Sequence, residues 1–351
     1  MNYFFCLLML AGFPLLASAQ SSVTLYGVIG NGVRWINGTN GGSTVKMAST
    51  ITPSWFGFQG SEDIGGGLKV IFRLENGFDS PNGNLTTSNV LFQRAAYVGL
   101  DGQYGRLTMG RQLTSFEDLA ISLDPYALAG GDAAISPGAL TVVNVFTGDT
   151  RFNNVLKYTY VLNGVKLSAN YSLGGVAGNQ RAGANYSMQA AYQQGALFGG
   201  IGYQRTYNAD ATQMAQNYQA GGAWQIGPVR LFLNYLGLLI SGSPQFASQR
   251  RDSIPQGGIV YQITPSIVLT AAFYDDIANN LGNVGGASGH KTTAFALAQY
   301  FLSKRTDLYA EIDRNSFSGA YKTDPTNLLV FNRNAASNAT VGVSLGFATH
   351  F

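Results

Sequence analysis

The sequence predicts an all-β protein, an antiparallel transmembrane β-barrel of 16 strands, on three observations. Charged residues make up 11% of the 351 positions, about half of the roughly 25% usual for soluble domains. Apolar and polar residues alternate with period two in segment after segment, from Val23 to the end of the chain. The connections between those segments alternate short and long.

The chain opens on an apolar run, residues 3–17. It is followed by Ala17-Ser18-Ala19, a small-x-small pattern of the kind cut in secretory signals. Residues 1–19 are therefore read as an export signal and residues 20–351 as one barrel domain. The n-region lacks the usual basic residue, and a membrane-spanning helix is the competing reading; the run is short for one. The sole cysteine, Cys6, falls inside the signal, so the mature chain has no thiol for disulfides, metal ligation or catalysis.

The strands read most clearly at residues 165–173. Val165, Leu167, Ala169, Tyr171 and Leu173 alternate with Lys166, Ser168, Asn170 and Ser172. Successive strand side chains point to opposite faces, so this segment has one apolar and one wet face. Val341, Val343, Leu345 and Phe347 repeat the pattern, as do Leu68, Val70, Phe72 and Leu74 opposite Lys69, Arg73 and Glu75. Short turns fall at 61–66, 101–105, 162–164, 193–195, 225–228, 262–266 and 302–306, rich in Gly, Pro, Asn and Ser. Longer stretches lie near 36–53, 76–91, 112–151, 174–186, 206–217, 241–252, 276–291 and 315–339. Fifteen connections join 16 strands of about 9–11 residues, the length that crosses a bilayer when tilted. An even count puts both termini at the short-turn rim. A soluble β-sandwich would share the alternation, but not the charge poverty or the short/long rhythm.

The polar strand faces carry Arg73, Glu75, Arg94, Arg151, Lys157 and Lys166. A Lys or Arg facing lipid near mid-bilayer costs about 2–4 kcal/mol. These faces must therefore line a lumen, and a barrel of this strand number leaves the lumen open to water. Tyr26, Tyr97, Tyr158, Tyr160, Tyr203, Tyr235 and Tyr300, near strand ends, suit interfacial girdles. The net charge of +3 is too small for a nucleic-acid footprint. The two histidines, His290 in a long loop and His350, have no serine or carboxylate pattern around them, which argues against an enzyme. No metal or cofactor is expected. Adhesion alone has no need of charged inner strand faces.

Several segments resemble the general porins of Gram-negative outer membranes, in the form common in β-proteobacteria. They are SSVTLYGV (21–28), FGFQGSEDIGGGLKVIFRLENGF (56–78), AAYVGL with YGRLTMGRQ (95–112), RFNNVLKY (151–158), YFLSKRTDLYA (300–310) and the terminal Phe351. The resemblance implies a 16-stranded barrel with an inward-folded third long loop, usually a homotrimer in lipid and lipopolysaccharide. It implies passive passage of small hydrophilic solutes and ions.

It also implies a constriction. The wall arginines correspond to Arg94 and Arg151, with Arg73 ranked after them, and the loop 112–151 supplies Asp118, Asp124 and Asp132, of which Asp124 best matches the constriction carboxylate. Arg111, on the outer face by parity, suits a subunit interface. This chain departs from the family pattern in three places. Trp55 stands where an arginine is usual, Leu128 where a second constriction carboxylate is usual, and Thr349 where a hydrophobic residue is usual. The first two exchanges weaken the transverse field and leave a substrate-selective pore as the alternative to a general one. The expected ion preference is weak and tilted toward anions.

Overall fold

A computed structural model describes residues 22–49, 51–128 and 143–351. The expected export signal, Cys6 and Asp132 lie outside the described residues. The strands are β1 (Ser22–Thr39), β2 (Gly42–Ala48), β3 (Ser54–Asp63), β4 (Lys69–Phe78), β5 (Ala95–Gly102), β6 (Gly105–Gln112), β7 (Phe152–Leu162), β8 (Val165–Ser172) and β9 (Asn185–Gln194). They continue as β10 (Leu197–Tyr207), β11 (Met214–Ile226), β12 (Val229–Ile240), β13 (Arg250–Thr264), β14 (Ile267–Asn279), β15 (Gly289–Phe301), β16 (Thr306–Phe317) and β17 (Ala339–His350). Helix α1 (Ser115–Ser122) lies between β6 and β7, and α2 (Pro325–Val330) between β16 and β17.

Each strand pairs antiparallel with its sequence neighbour, and β17 closes the sheet onto β1, Val28 opposite His350 through Ile36 opposite Gly342. The lower half of β1 pairs with β3 and its upper half with β2. Those two short strands share one side of β1, so the barrel has 16 positions. Where the partner changes, the Gly30 amide donates to Ser54 Oγ (3.1 Å), and the Gly30 carbonyl accepts from Ser54 Oγ (3.1 Å) and Ser80 Oγ (2.6 Å). Serine hydroxyls there replace a missing strand, because backbone polar groups have no water to turn to in lipid.

The seven short connections lie where the sequence places them. The turn between β7 and β8 is Asn163-Gly164, both residues at positive φ (50° and 81°). That two-residue loop matches the twist of the flanking strands and needs a residue tolerant of the left-handed region at each position. Three long connections are clearly shorter than expected, the one at 276–291 leaving 280–288. Most of 36–53 is strand, with only 40–41, 49 and 51–53 outside among the described residues, and β10 and β11 leave just 208–213. At 36–53 the Gly/Asn/Ser/Thr composition suggests a loop, but Val45 and Met47 continue a period-two face and the hairpin follows them.

The orientation is apolar side outward. On β8, Val165, Leu167, Ala169 and Tyr171 are exposed, whereas Ser168, Asn170 and Ser172 are buried. Leu345 and Phe347 on β17 are likewise exposed and Ser344 is buried. Tyr158, Tyr235 and Tyr300 stand exposed on the barrel, but Tyr26 and Tyr97 turn inward and do not belong to a girdle. Tyr26 sits in register with Gly57, itself opposite Glu75, and its hydroxyl reaches that lumen carboxylate. Beside the β1–β17 seam, Arg34 Nη1 donates to Asp313 Oδ2 (2.7 Å) and Ser344 Oγ (2.9 Å), all three buried. At the last residue, the Phe351 amide and carbonyl exchange hydrogen bonds with Gly27.

Leu233, midway along β12, is 74% exposed. Leu233→Arg is expected to destabilise the barrel in phospholipid vesicles by about 2–4 kcal/mol. Urea titration of the folded protein reads this; no change would mean that face does not meet hydrocarbon.

Candidate pore constriction

The third long loop enters the barrel directly after β6. Thr114 caps α1 by accepting from the Glu117 amide (3.2 Å), and Glu117 Oε2 accepts from the Thr114 amide (2.7 Å). This reciprocal pair satisfies two of the free donors at the helix start. Two further amides donate to the barrel wall, Ser115 to Asn170 Oδ1 (2.7 Å) and Phe116 to Ser187 Oγ (3.2 Å). Gln219 Nε2 donates to the Phe116 carbonyl (2.8 Å). The helix buries Phe116 and Ala120 with Leu236 and Ile254, and Leu119 and Leu123 with Ala191. Gly200 makes room for this, since a Cβ there would stand 2.5 Å from Leu119 Cδ1.

Beyond α1 the loop crosses to the opposite wall. The Tyr126 hydroxyl donates to the Ile51 carbonyl (2.8 Å), and its ring meets Phe295 at 4.9 Å. Asp124 holds this crossing. Its Oδ1 accepts from the Tyr126 (2.8 Å) and Leu128 (3.1 Å) amides, and its Oδ2 accepts from the Tyr274 hydroxyl (2.8 Å). Burial raises the Asp124 carboxyl above its ordinary value. The Leu128 side chain packs against the apolar cluster of Phe116, Leu236 and Ile254. At Leu128, where the resemblance implies an acid, the loop carries an apolar anchor.

Beside α1, walled by β4–β8, lies a cavity of about 570 Å³. Four of the five sequence-predicted residues meet there: Arg73, Arg94, Arg151 and Asp118. Asp124 does not join them; it faces a separate hollow with Arg230 and Phe232. The cavity adds Glu75, Tyr97, Asp101, Arg106, Lys157 and Lys166. Lys157 and Lys166 lie on polar strand faces legible in the sequence, while the place of Arg106 and Asp101 follows only from register, one opposite the other across β5 and β6.

The charges divide into paired and unpaired. Lys157 Nζ lies 2.7 Å from Asp118 Oδ2 and Arg106 Nη2 lies 2.6 Å from Asp101 Oδ2. Arg73 Nη1 sits 3.6 Å from Glu75 Oε1, a carboxylate that also accepts from the Tyr26 hydroxyl (2.7 Å). Arg151 Nε donates to the Arg94 carbonyl (3.2 Å), which sets the two arginines side by side. The Arg94 guanidinium lies over the Trp55 ring at 5.2 Å. Among the described residues neither Arg94 nor Arg151 forms an ion pair with a carboxylate. Field lines concentrate in such a water-filled gap between low-dielectric walls. The arrangement can therefore attract and orient anions.

Other expected positions are engaged elsewhere. Arg111 donates to both Asp149 oxygens (2.9 and 2.8 Å), to Asn153 and to the Gln93 carbonyl, so its guanidinium braces the loop base within its own chain. His290 belongs to β15 and has a carboxylate neighbour after all, its Nδ1 3.1 Å from Asp275 Oδ1. The register of β14 with β15 creates that contact, which the separation along the chain conceals.

A family model described as Gram-negative porin matches residues 7–320. An outer membrane porin protein of Bordetella pertussis is 34% identical over 181 residues, covering 47% of this chain and 46% of the relative. Outer membrane porin protein 32 of Delftia acidovorans is 34% identical over 125 residues, 32% of each chain. The matched part of this chain thus spans about half the length of the first relative and about a third of the second. Among solved structures, an anion-selective porin from Comamonas acidovorans superposes with a TM-score of 0.77 at 19% identity, covering 95% of this chain and 100% of that one. The trimer form of an outer membrane protein of Vibrio cholerae gives 0.69 at 14% identity, covering 94% and 99%.

Glu117, on the loop helix outside the spanning strands, is buried, and burial raises its carboxyl to about 8. A carboxyl raised on folding contributes stability that is complete below its ordinary value and is lost as pH rises through the folded one. Thermal unfolding is therefore expected to show the native protein weakening between pH 5 and pH 9 relative to Glu117→Gln. Parallel pH profiles for the two proteins would contradict this.

Proposed function

The chain belongs to the Gram-negative porin family, and we propose that it is a diffusion channel passing small hydrophilic solutes and ions with a preference for anions. It lies in the bacterial outer membrane as a multi-pass β-barrel. The observation that carries the reading is the lining of the cavity beside α1, where six basic side chains face three carboxylates. A passing anion meets a favourable potential along that wall and a cation an unfavourable one. Arg73, Arg94, Arg151 and Asp118 form the proposed constriction, and Asp124 holds the loop that builds it. The proposed assembly is a homotrimer, with lipid and lipopolysaccharide around its outer face.

A solute-selective pore is the second reading, favoured by the aromatic Trp55 beside Arg94, where the resemblance implies an arginine. Solute flux into proteoliposomes separates the two, since saturation at low solute concentration belongs to a selective pore.

Ion preference is tested in a planar bilayer under a salt gradient. The native protein is expected to give a reversal potential of anion-selective sign. The double variant Arg94→Ala, Arg151→Ala is expected to move it toward cations. A clear cation preference of the native channel, or an unmoved potential in the variant, would overturn the reading.

A further inference from the structure

We infer that Trp55 is a positioning residue for ion selectivity, acting through Arg94; the inference rests on the anion-channel reading above. Trp55 is on the lumen side of β3, directly opposite Gly77 of β4. A Cβ at Gly77 would stand 2.5 Å from Gln93 Nε2 and 3.4 Å from Arg94 Cδ. The Arg94 stem thus passes beside the bare glycine, at ordinary van der Waals distance, on its way to the indole. The guanidinium then lies over the ring at 5.2 Å.

Behind the indole stands Tyr26, edge-on at 5.3 Å and 78°. The Tyr26 hydroxyl donates to Glu75 Oε1 (2.7 Å), and Arg73 completes the set at 3.6 Å from the same oxygen and 5.6 Å over the Tyr26 ring. The Glu75 carboxylate is thereby committed to Tyr26 and Arg73. Arg94 is held by an aromatic face instead of an acid.

That difference matters chemically. A carboxylate partner takes N–H donors at the edge of the guanidinium plane and cancels its charge. An aromatic ring contacts the face, leaving both the edge donors and the full charge in place. Among the described residues the buried Arg94 Nε has no acceptor. With Arg151 alongside and likewise without an acid, the pair presents a concentrated positive field to the lumen. Without the indole, Arg94 is free to turn toward Glu75, and the field falls.

The test is a double-mutant cycle read by reversal potential in a salt gradient. Trp55→Ala is expected to lower the anion-to-cation permeability ratio about two- to five-fold, the scale of one cation–π contact. Trp55→Phe, which keeps an aromatic face, is expected to restore most of it. In an Arg94→Ala background, Trp55→Ala is expected to add nothing further. A merely structural tryptophan would alter conductance or trimer stability while leaving the ratio intact. If Arg94→Ala moves the ratio but Trp55→Ala does not, or if the two effects add, the role assigned to Trp55 is wrong while the anion-channel reading stands. If the native channel shows no anion preference, both fall. Should Trp55→Ala fail to assemble, Trp55→Leu supplies the same cycle with an apolar side chain that lacks the aromatic face, judged by the same outcomes.

Discussion

A backbone amide in hydrocarbon has nowhere to bond except to another part of the protein, at a cost of several kcal/mol when it fails. This constraint closes β17 onto β1 and leaves the sheet no free edge facing lipid along that seam. It also accounts for an irregular place on the wall. Where β1 exchanges β3 for β2, serine hydroxyls take up the Gly30 backbone in place of a strand. Closure in turn fixes the meaning of the alternation, because each strand then has one side in lipid and one around the lumen.

The lumen obeys a second rule, that buried charge is matched or solvated. On the β1, β16 and β17 wall the matching is internal, with Arg34 spent on Asp313 and Ser344. Along β4–β8 the matching is incomplete, and the surplus is positive. The inserted loop divides these regions, its helix against β8–β11 and its tip against β14 and β15. Apolar anchors and backbone caps hold that loop, which among the described residues leaves Asp118 as the acid it contributes to the cavity. Selectivity in this frame is a matter of which cations remain without an acid.

The barrel and the inward placement of its charges are largely legible in the sequence. Period-two alternation specifies a face residue by residue, and the turn residues mark where the face ends. The misreadings share one cause. At 36–53 and for Tyr26 and Tyr97, composition and position along a strand suggested loop or girdle, whereas parity and register decided otherwise. The roles of Trp55, Leu128 and Asp124 were not legible at all, since each depends on what stands across from it.

The sequence alone determined that this chain builds a closed membrane barrel with basic residues on its inner wall, because strand geometry ties every second side chain to one face. Only the tertiary structure decided what each charge does there. Arg34 meets Asp313 across 279 residues and Asp124 meets Tyr274 across 150. Such partners are chosen by the curvature of the barrel and the path of the loop within it. No local pattern carries that information, so the balance of paired and unpaired charge emerges only when the ring is closed.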